Sequence, residues 1–287
     1  MDTKELSRRA FLRDAGLGVA VGLVGSPVAA AGSRMLAENQ IGLQLFTLAK
    51  EMTADWRKTL KAVAEIGYKQ IEHGVSVGDS REAFLALRNE VGLASLSGGG
   101  TMAELRKGVD EVIAAAQVFG WKYVVCFWPW EDAGRDKAID DWRTVADKLN
   151  ALGEKVTKAG LVFAYHNHDI EFRPTGGRLP YDVLLEGTRP ALVSMQIDLY
   201  WIEKGGHKAT PFFEKHPGRF PIWHVKDMDA TPERSFACVG EGVLDFPAIF
   251  AKADLAGMKH VVVEHDKPAD GVACARTSLH SLRKLRY

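Results

Sequence analysis

What this chain lacks narrows it first. Cysteine occurs only three times in 287 residues, as Cys126, Cys238 and Cys274, with no close pair; this excludes a zinc ribbon, a CxxC redox motif and a disulfide-dense scaffold. Charge of one sign is also missing, since 37 basic residues face 37 acidic ones, so the electrostatic footprint of a general nucleic-acid binder is absent. No segment beyond the leader approaches the roughly 20 apolar residues of a spanning helix. Nor is there a GxGxxG or Walker sequence, which argues against a dinucleotide fold. Gly98-Gly99-Gly100 follows an apolar run and is read as a flexible rim loop.

What is present begins with an export signal. Ser7-Arg8-Arg9-Ala10-Phe11-Leu12-Arg13 is a twin-arginine pattern, followed by a weakly apolar, Gly-rich stretch and the small-residue run Val28-Ala29-Ala30-Ala31. Basic, apolar and small residues in that order predict a signal peptide over 1–31, cleavage near Ala31 and a periplasmic mature protein over 32–287, with no membrane segment. Cys126 lies in an apolar run and is expected in the core. A Cys238–Cys274 bridge is compatible with the periplasm.

The mature chain carries a repeated punctuation. Gly67, Gly92, Gly120, Gly160 and Gly257 each end a helical pattern and stand directly before an apolar run. A Gly just past a helix accepts the left-handed conformation that stops it, so these are αβ junctions. The helices between are amphipathic, as Trp56, Leu60, Val63 and Ala64 illustrate. Eight strands are predicted, at 41–46, 69–72, 93–97, 122–127, 161–166, 192–198, 220–224 and 261–264. Alternating strands and helices, with no polar linker or composition shift, predict a single-domain α/β (β/α)₈ TIM barrel.

In such a barrel, function sits where the strands stop, on the carboxyl-terminal rim. Four of the last runs stop at a metal-ligating side chain: His166, Asp198, His224 and Glu264. Two imidazoles and two carboxylates suit Mn²⁺, Zn²⁺, Fe²⁺ or Co²⁺. Period two places His168 on the face of His166, and Lys226 on that of His224. Aromatic residues rather than a helix start follow Asp198, which favours a lined pocket over a simple cap. Trp128, Trp130, Trp201 and Trp223 near strand ends suit sugar stacking, or core filling. Gly240-Glu241-Gly242 is taken as structural, with Asp245 as the cap of the next helix.

The strings YHNHDIEF (165–172), QIDLYW (196–201), WHVKDMD (223–229), VGEGVLDF (239–246) and VVVEHD (261–266) resemble the xylose isomerase-like TIM-barrel superfamily of sugar phosphate isomerases and epimerases. Its relatives include inosose dehydratases, 3-dehydroshikimate dehydratases and apurinic endonucleases. The resemblance spans about 41–285. It implies one divalent ion held by His166, Asp198, His224 and Glu264, with Glu72, Glu171, Lys226 and Arg234 lining the substrate, which Trp201 would also contact. Many epimerases of the superfamily carry Glu at the position matched by His166, so their two-carboxylate mechanism is incomplete here unless Glu171 completes it. Most of the extra His ligands of the endonucleases have no counterpart.

The chemistry expected is metal-assisted enolisation of a non-phosphorylated sugar or keto-sugar, with Glu264 or Glu171 as base and Lys226 or His168 stabilising charge or returning a proton. Return of the proton makes an isomerase or epimerase; loss of a β-oxygen makes a lyase or dehydratase acting on 3-keto-glycosides or related polyols. A non-catalytic sugar-binding protein is the remaining class. A homo-oligomer, and an upstream oxidoreductase that supplies a keto group, are compatible with all of this.

Overall fold

The computed structural model describes residues 34–132 and 137–287; the predicted signal peptide over 1–31 lies outside the described residues. Eight parallel strands close into a barrel: β1 (Ile41–Gln44), β2 (Gln70–Glu72), β3 (Ala94–Thr101), β4 (Tyr123–Trp128), β5 (Val162–His166), β6 (Ser194–Asp198), β7 (Ile222–Val225) and, after a short antiparallel ribbon of β8 (Asp227–Met228) and β9 (Phe236–Ala237), β10 (His260–Val263). Closure is made by β1 against β10, with Ile41 opposite Val261 and Leu43 opposite Val263. All eight predicted barrel strands are found, within a few residues of their expected limits.

Long helices cover the strands, among them α1 (Ala49–Ile66), α2 (Arg81–Glu90), α3 (Met102–Phe119) and α4 (Ile139–Lys158). Their apolar stripes explain the burial: Trp56, Leu60 and Val63 of α1 face inward, as do Leu105, Val109, Val112 and Ala116 of α3. Gly67 and Gly120 end α1 and α3 at φ 112° and 74°, which is the predicted junction. Inside the barrel, Leu96, Tyr123, Val125, Ala164, Ile222 and Val262 form a small apolar plug. Two residues further along the same strands come His166, His224 and Glu264, so strand alternation delivers polar groups directly above that plug.

One expectation fails. Gly98, Gly99 and Gly100 are not a rim loop but strand β3 itself, paired with Val124, Val125 and Cys126 of β4. A Cβ on Gly99 would fall 1.9 Å from the Val125 carbonyl oxygen, and one on Gly98 2.2 Å from the Trp121 ring. Glycine is required there by close approach of backbone and ring, not by flexibility. Cys126 is buried in the core, and Cys238 and Cys274 are joined in a disulfide. The bridge ties the end of β9 to the last helix, α10 (Gly271–Lys284). No helix among the described residues is long and apolar enough to cross a membrane.

Candidate metal centre and its cavity

Strands β5, β6, β7 and β10 bring His166, Asp198, His224 and Glu264 together. All four are buried, and one ligand atom from each lies within 4.8 Å of the others. His224 Nδ1 is 2.8 Å from Glu264 Oε2 and 3.9 Å from Asp198 Oδ2, and His166 Nε2 is 4.0 Å from the same Asp198 oxygen. The four residues predicted as ligands therefore face one point.

Asp198 does two things at once. Its Oδ1 accepts from the Trp201 backbone N–H at 2.8 Å and caps α6 (Leu199–Lys204), so a helix start does follow it, contrary to expectation. That bond fixes the carboxylate and leaves Oδ2 buried at the centre without a hydrogen-bond partner; Lys226 Nζ stands 3.1 Å away, off the hydrogen-bonding line. Asn167 steadies the segment, donating to the Asp198 carbonyl and accepting from its N–H at 2.9 Å.

Below the ligands lies a group expected to line the substrate. Glu72 is fully buried and its two oxygens are already taken. Oε1 accepts from Gln44 Nε2 at 2.8 Å and from His224 Nε2 at 2.5 Å. Oε2 accepts from Ser97 Oγ at 2.6 Å and Gln196 Nε2 at 2.7 Å. Gln196 in turn presents Oε1 to His166 Nδ1 at 3.0 Å. One carboxylate thus orients both imidazoles, His224 directly and His166 through Gln196, so that His224 Nδ1 and His166 Nε2 are the nitrogens turned to the ligand point. Gln44, Ser97 and Gln196 were not singled out from the sequence; polar side chains on the inward face of barrel strands were the available signal.

The electrostatics favour a cation. Burial alone would lower the His224 pKa, but Glu72 and Glu264 on either side outweigh it and lift it to about 10. Burial raises Asp198 to about 6 against the pull of Lys226 and His224. Burial also pushes Glu264 up, yet the neighbouring Lys226 and His224 charges hold it well below the usual carboxylate range. Burial disfavours the Lys226 ammonium, and three carboxylates reverse this: Asp198, Glu264 at 2.6 Å and Asp266 at 2.9 Å. Asp266 was not singled out from the sequence, although period two sets it on the face of Glu264 as it sets Lys226 on that of His224. A buried carboxylate oxygen that is ion-paired to Lys226 but accepts no hydrogen bond, two imidazole nitrogens turned to one point and a surplus of acid fit a divalent ion.

Above the ligands opens a cavity of about 770 Å³, whose wall includes His166, His168, Lys226, Glu264 and Asp266. The His168 ring stands between Trp128, 5.2 Å away, and Trp201, 5.5 Å away, and Lys226 Nζ lies 5.6 Å from the Trp201 ring centre. Trp130 and Trp223 are core filler, packed on Trp142 and Phe213.

Three further expected contacts lie off the cavity wall, the first being Trp201, which lines a separate pocket with Tyr200, Phe236 and His265. Glu171 is fully buried outside the cavity wall, accepting from the Tyr165 hydroxyl and from the His168 N–H at 3.0 Å; it fixes the loop that carries His168. Arg234 is 41% exposed on a separate small pocket, where its guanidinium donates to the Glu203 carbonyl at 2.6 Å. The ribbon between β8 and β9 carries it away from the mouth. Glu241 is exposed, and its loop is tied down by Gly240 and Gly242 N–H groups donating to Asp227 Oδ2. Asp245 caps the next helix as expected.

With this geometry in place, comparison with known proteins places the chain. The family model described as xylose isomerase-like TIM barrel matches residues 35–285. Among solved structures, a sugar phosphate isomerase/epimerase from Parabacteroides distasonis superposes with a TM-score of 0.73 at 23% identity, covering 90% of this chain and 96% of that one. The IOLI protein, with a bound zinc atom, superposes with a TM-score of 0.66 at 16% identity over 84% of this chain and 96% of that one. At these identities the likeness is one of fold. Among curated proteins, inosose dehydratase from Geobacillus thermodenitrificans is 27% identical over 150 residues, 45% of this chain. The chain spans about half the length of the curated relatives it matches.

Proposed function

From the premise that this chain belongs to the xylose isomerase-like TIM-barrel family, we propose that it is a divalent-metal-dependent isomerase or epimerase of a non-phosphorylated sugar or keto-sugar, working through an enediolate. The observation that carries this is the meeting of His166, Asp198, His224 and Glu264 within 4.8 Å at the floor of an open cavity. A divalent ion held there, Mn²⁺, Zn²⁺, Fe²⁺ or Co²⁺, would polarise the carbonyl next to the C–H bond that breaks.

The chain's own residues supply the rest. Of the two carboxylates expected as base, only Glu264 reaches the cavity, so it takes the proton. Lys226, kept charged by Asp198, Glu264 and Asp266, sits beside the oxygen on which negative charge grows. It gives a proton to the neighbouring carbon in isomerisation, or to the other face of the same carbon in epimerisation; Glu264, 2.6 Å from Nζ, then passes on the proton it took and restores the ammonium. His168 of the cavity wall binds a hydroxyl, and Trp201 backs its ring at 5.5 Å from a separate pocket. Away from the ligand cluster the wall offers Lys107 as its cation, with Glu104 and Glu111 beside it, so it has no clamp for a phosphate group.

The match to inosose dehydratases supports a second reading, a dehydratase in which Lys226 protonates a departing β-oxygen after the same first step. The leader over 1–31 would put either reaction in the periplasm, on a keto group made by an upstream oxidoreductase. The test is metal content of the mature protein beside His224→Ala, followed by NMR in D₂O with keto-sugars. About one equivalent of metal, lost in the variant, with deuterium entering beside a carbonyl, is the expected result; the product separates isomerase from dehydratase. Metal-free wild type after reconstitution would sink the proposal and leave a sugar-binding protein.

A further inference from the structure

The cavity extends well past the ligand cluster. Its wall continues across the opposite half of the barrel mouth, along Phe46 after β1, Val75 after β2, Lys107, Glu111 and Val112 of α3, and Phe127 of β4. Gly99 and Gly100 of β3 form part of this wall with backbone alone, as the close approach of Val125 and Glu104 requires. Lys107 and Glu111 both line the opening, on either side of a kink in α3 at Gly108 (φ −149°, ψ 45°). Phe46 is 57% exposed, an aromatic ring held at the rim beside it.

A volume near 770 Å³ lies in the upper part of the roughly 300–1,000 Å³ range of pockets that enclose drug-sized ligands, far more than one sugar ring fills. We propose, resting on the reaction read above, that this half of the mouth is a subsite for a second sugar ring, and that the substrate is a glycoside rather than a free monosaccharide. The wall matches that ligand. Phe46 and Phe127 offer apolar faces to the C–H side of a pyranose, Lys107 and Glu111 offer a donor and an acceptor to its hydroxyls, and the acids offset the lysine, which leaves no place for a charged aglycone. The reacting ring sits over His166 and Glu264; the second ring extends toward α3.

The test compares kcat/KM for deuterium exchange, in the metal-loaded protein, with 3-ketoglucose and with 3-keto-cellobiose. The disaccharide is expected to be preferred by about tenfold or more, mainly through KM, and Phe46→Ala to collapse that preference by about fivefold. Phe46 is exposed enough for the variant to fold, and Lys107→Met with Glu111→Gln gives a second reading from the polar wall. Equal kcat/KM for both sugars would overturn the subsite and leave the reaction standing. If neither sugar exchanges, the reaction fails and the subsite is judged by binding alone: saturation-transfer NMR with cellobiose should show both rings in contact, weakened in Phe46→Ala, and no contact at either ring overturns it.

Discussion

Strands β5, β6, β7 and β10 end in groups that can hold a cation: His166, Asp198, His224 with Lys226 beyond it, and Glu264. Strands β1 to β4 line the other half of the same mouth with Phe46, glycines and Phe127, and the acid they do supply, Glu72, is sunk beneath the ligands. Both halves are built on the same eight-fold scaffold, so the difference lies entirely in what stands at the strand ends. One half concentrates charge and holds it rigidly by a buried hydrogen-bond network; the other withholds side chains and leaves space. Candidate ligands and open space are in this way placed on separate strands, joined through the buried carboxylate of Glu72.

The sharpest way to break the division is to disarm the charged half alone. Lys226→Met removes the ammonium from between Asp198, Glu264 and Asp266. Turnover is expected to fall by about 10²–10⁴-fold, while metal is retained, because only acidic and imidazole groups remain around the ion. Metal analysis beside single-turnover NMR separates the two effects. Loss of metal together with activity would mean that Lys226 props the site rather than serving the reaction.

Gly99→Ala attacks the other half. The added methyl meets the Val125 carbonyl oxygen at 1.9 Å, so β3 and β4 must separate, at a cost of about 3 kcal/mol or more in urea-unfolding stability. A variant of wild-type stability would show that β3 yields easily and that space, not close pairing, explains the glycine.

Glu72→Gln tests the tie between the halves, since Glu72 comes from β2 and serves ligands on β5 and β7. Gln keeps the volume but cannot accept from Gln44, Ser97, Gln196 and His224 together. Metal affinity should weaken about 10–100-fold, read by equilibrium dialysis without any activity assay. Unchanged affinity would mean that the imidazoles are held by packing alone.

How much of this was legible in the sequence follows the same division. The ligand half could be read because His, Asp and Glu at the ends of apolar runs are costly to bury unless they share a purpose. The strands and αβ junctions were legible from period and from glycine punctuation. The glycine half was not, because Gly98-Gly99-Gly100 has the composition of a loop, and only the approach of Val125 and Trp121 reveals a strand. The resemblance implies substrate roles for Glu72, at a strand end, and Glu171, in the turn after β5, and a carboxylate looks alike in sequence whether its partners are ligand or protein. Arg234 depended on the path of the β8–β9 ribbon, which no local pattern encodes.

Glu171 offers the mildest test, since it supports His168 on the charged half without entering the cavity. Burial raises its carboxyl from the usual value of 4.5 to about 7, against the lowering pull of the Tyr165 hydroxyl and the His168 N–H. The folded protein therefore holds this proton where the unfolded chain has already lost it. Its contribution is complete below about pH 4.5 and is lost as pH rises through about 7. Between pH 6 and pH 8 about 1 kcal/mol should disappear from the unfolding free energy. Glu171→Gln, which cannot ionise, should remove that slope and leave stability flatter over the same interval. If wild type and variant share one pH profile, Glu171 is not holding its proton, and His168 rests on an ionised carboxylate whose charge belongs to the reactive half of the mouth.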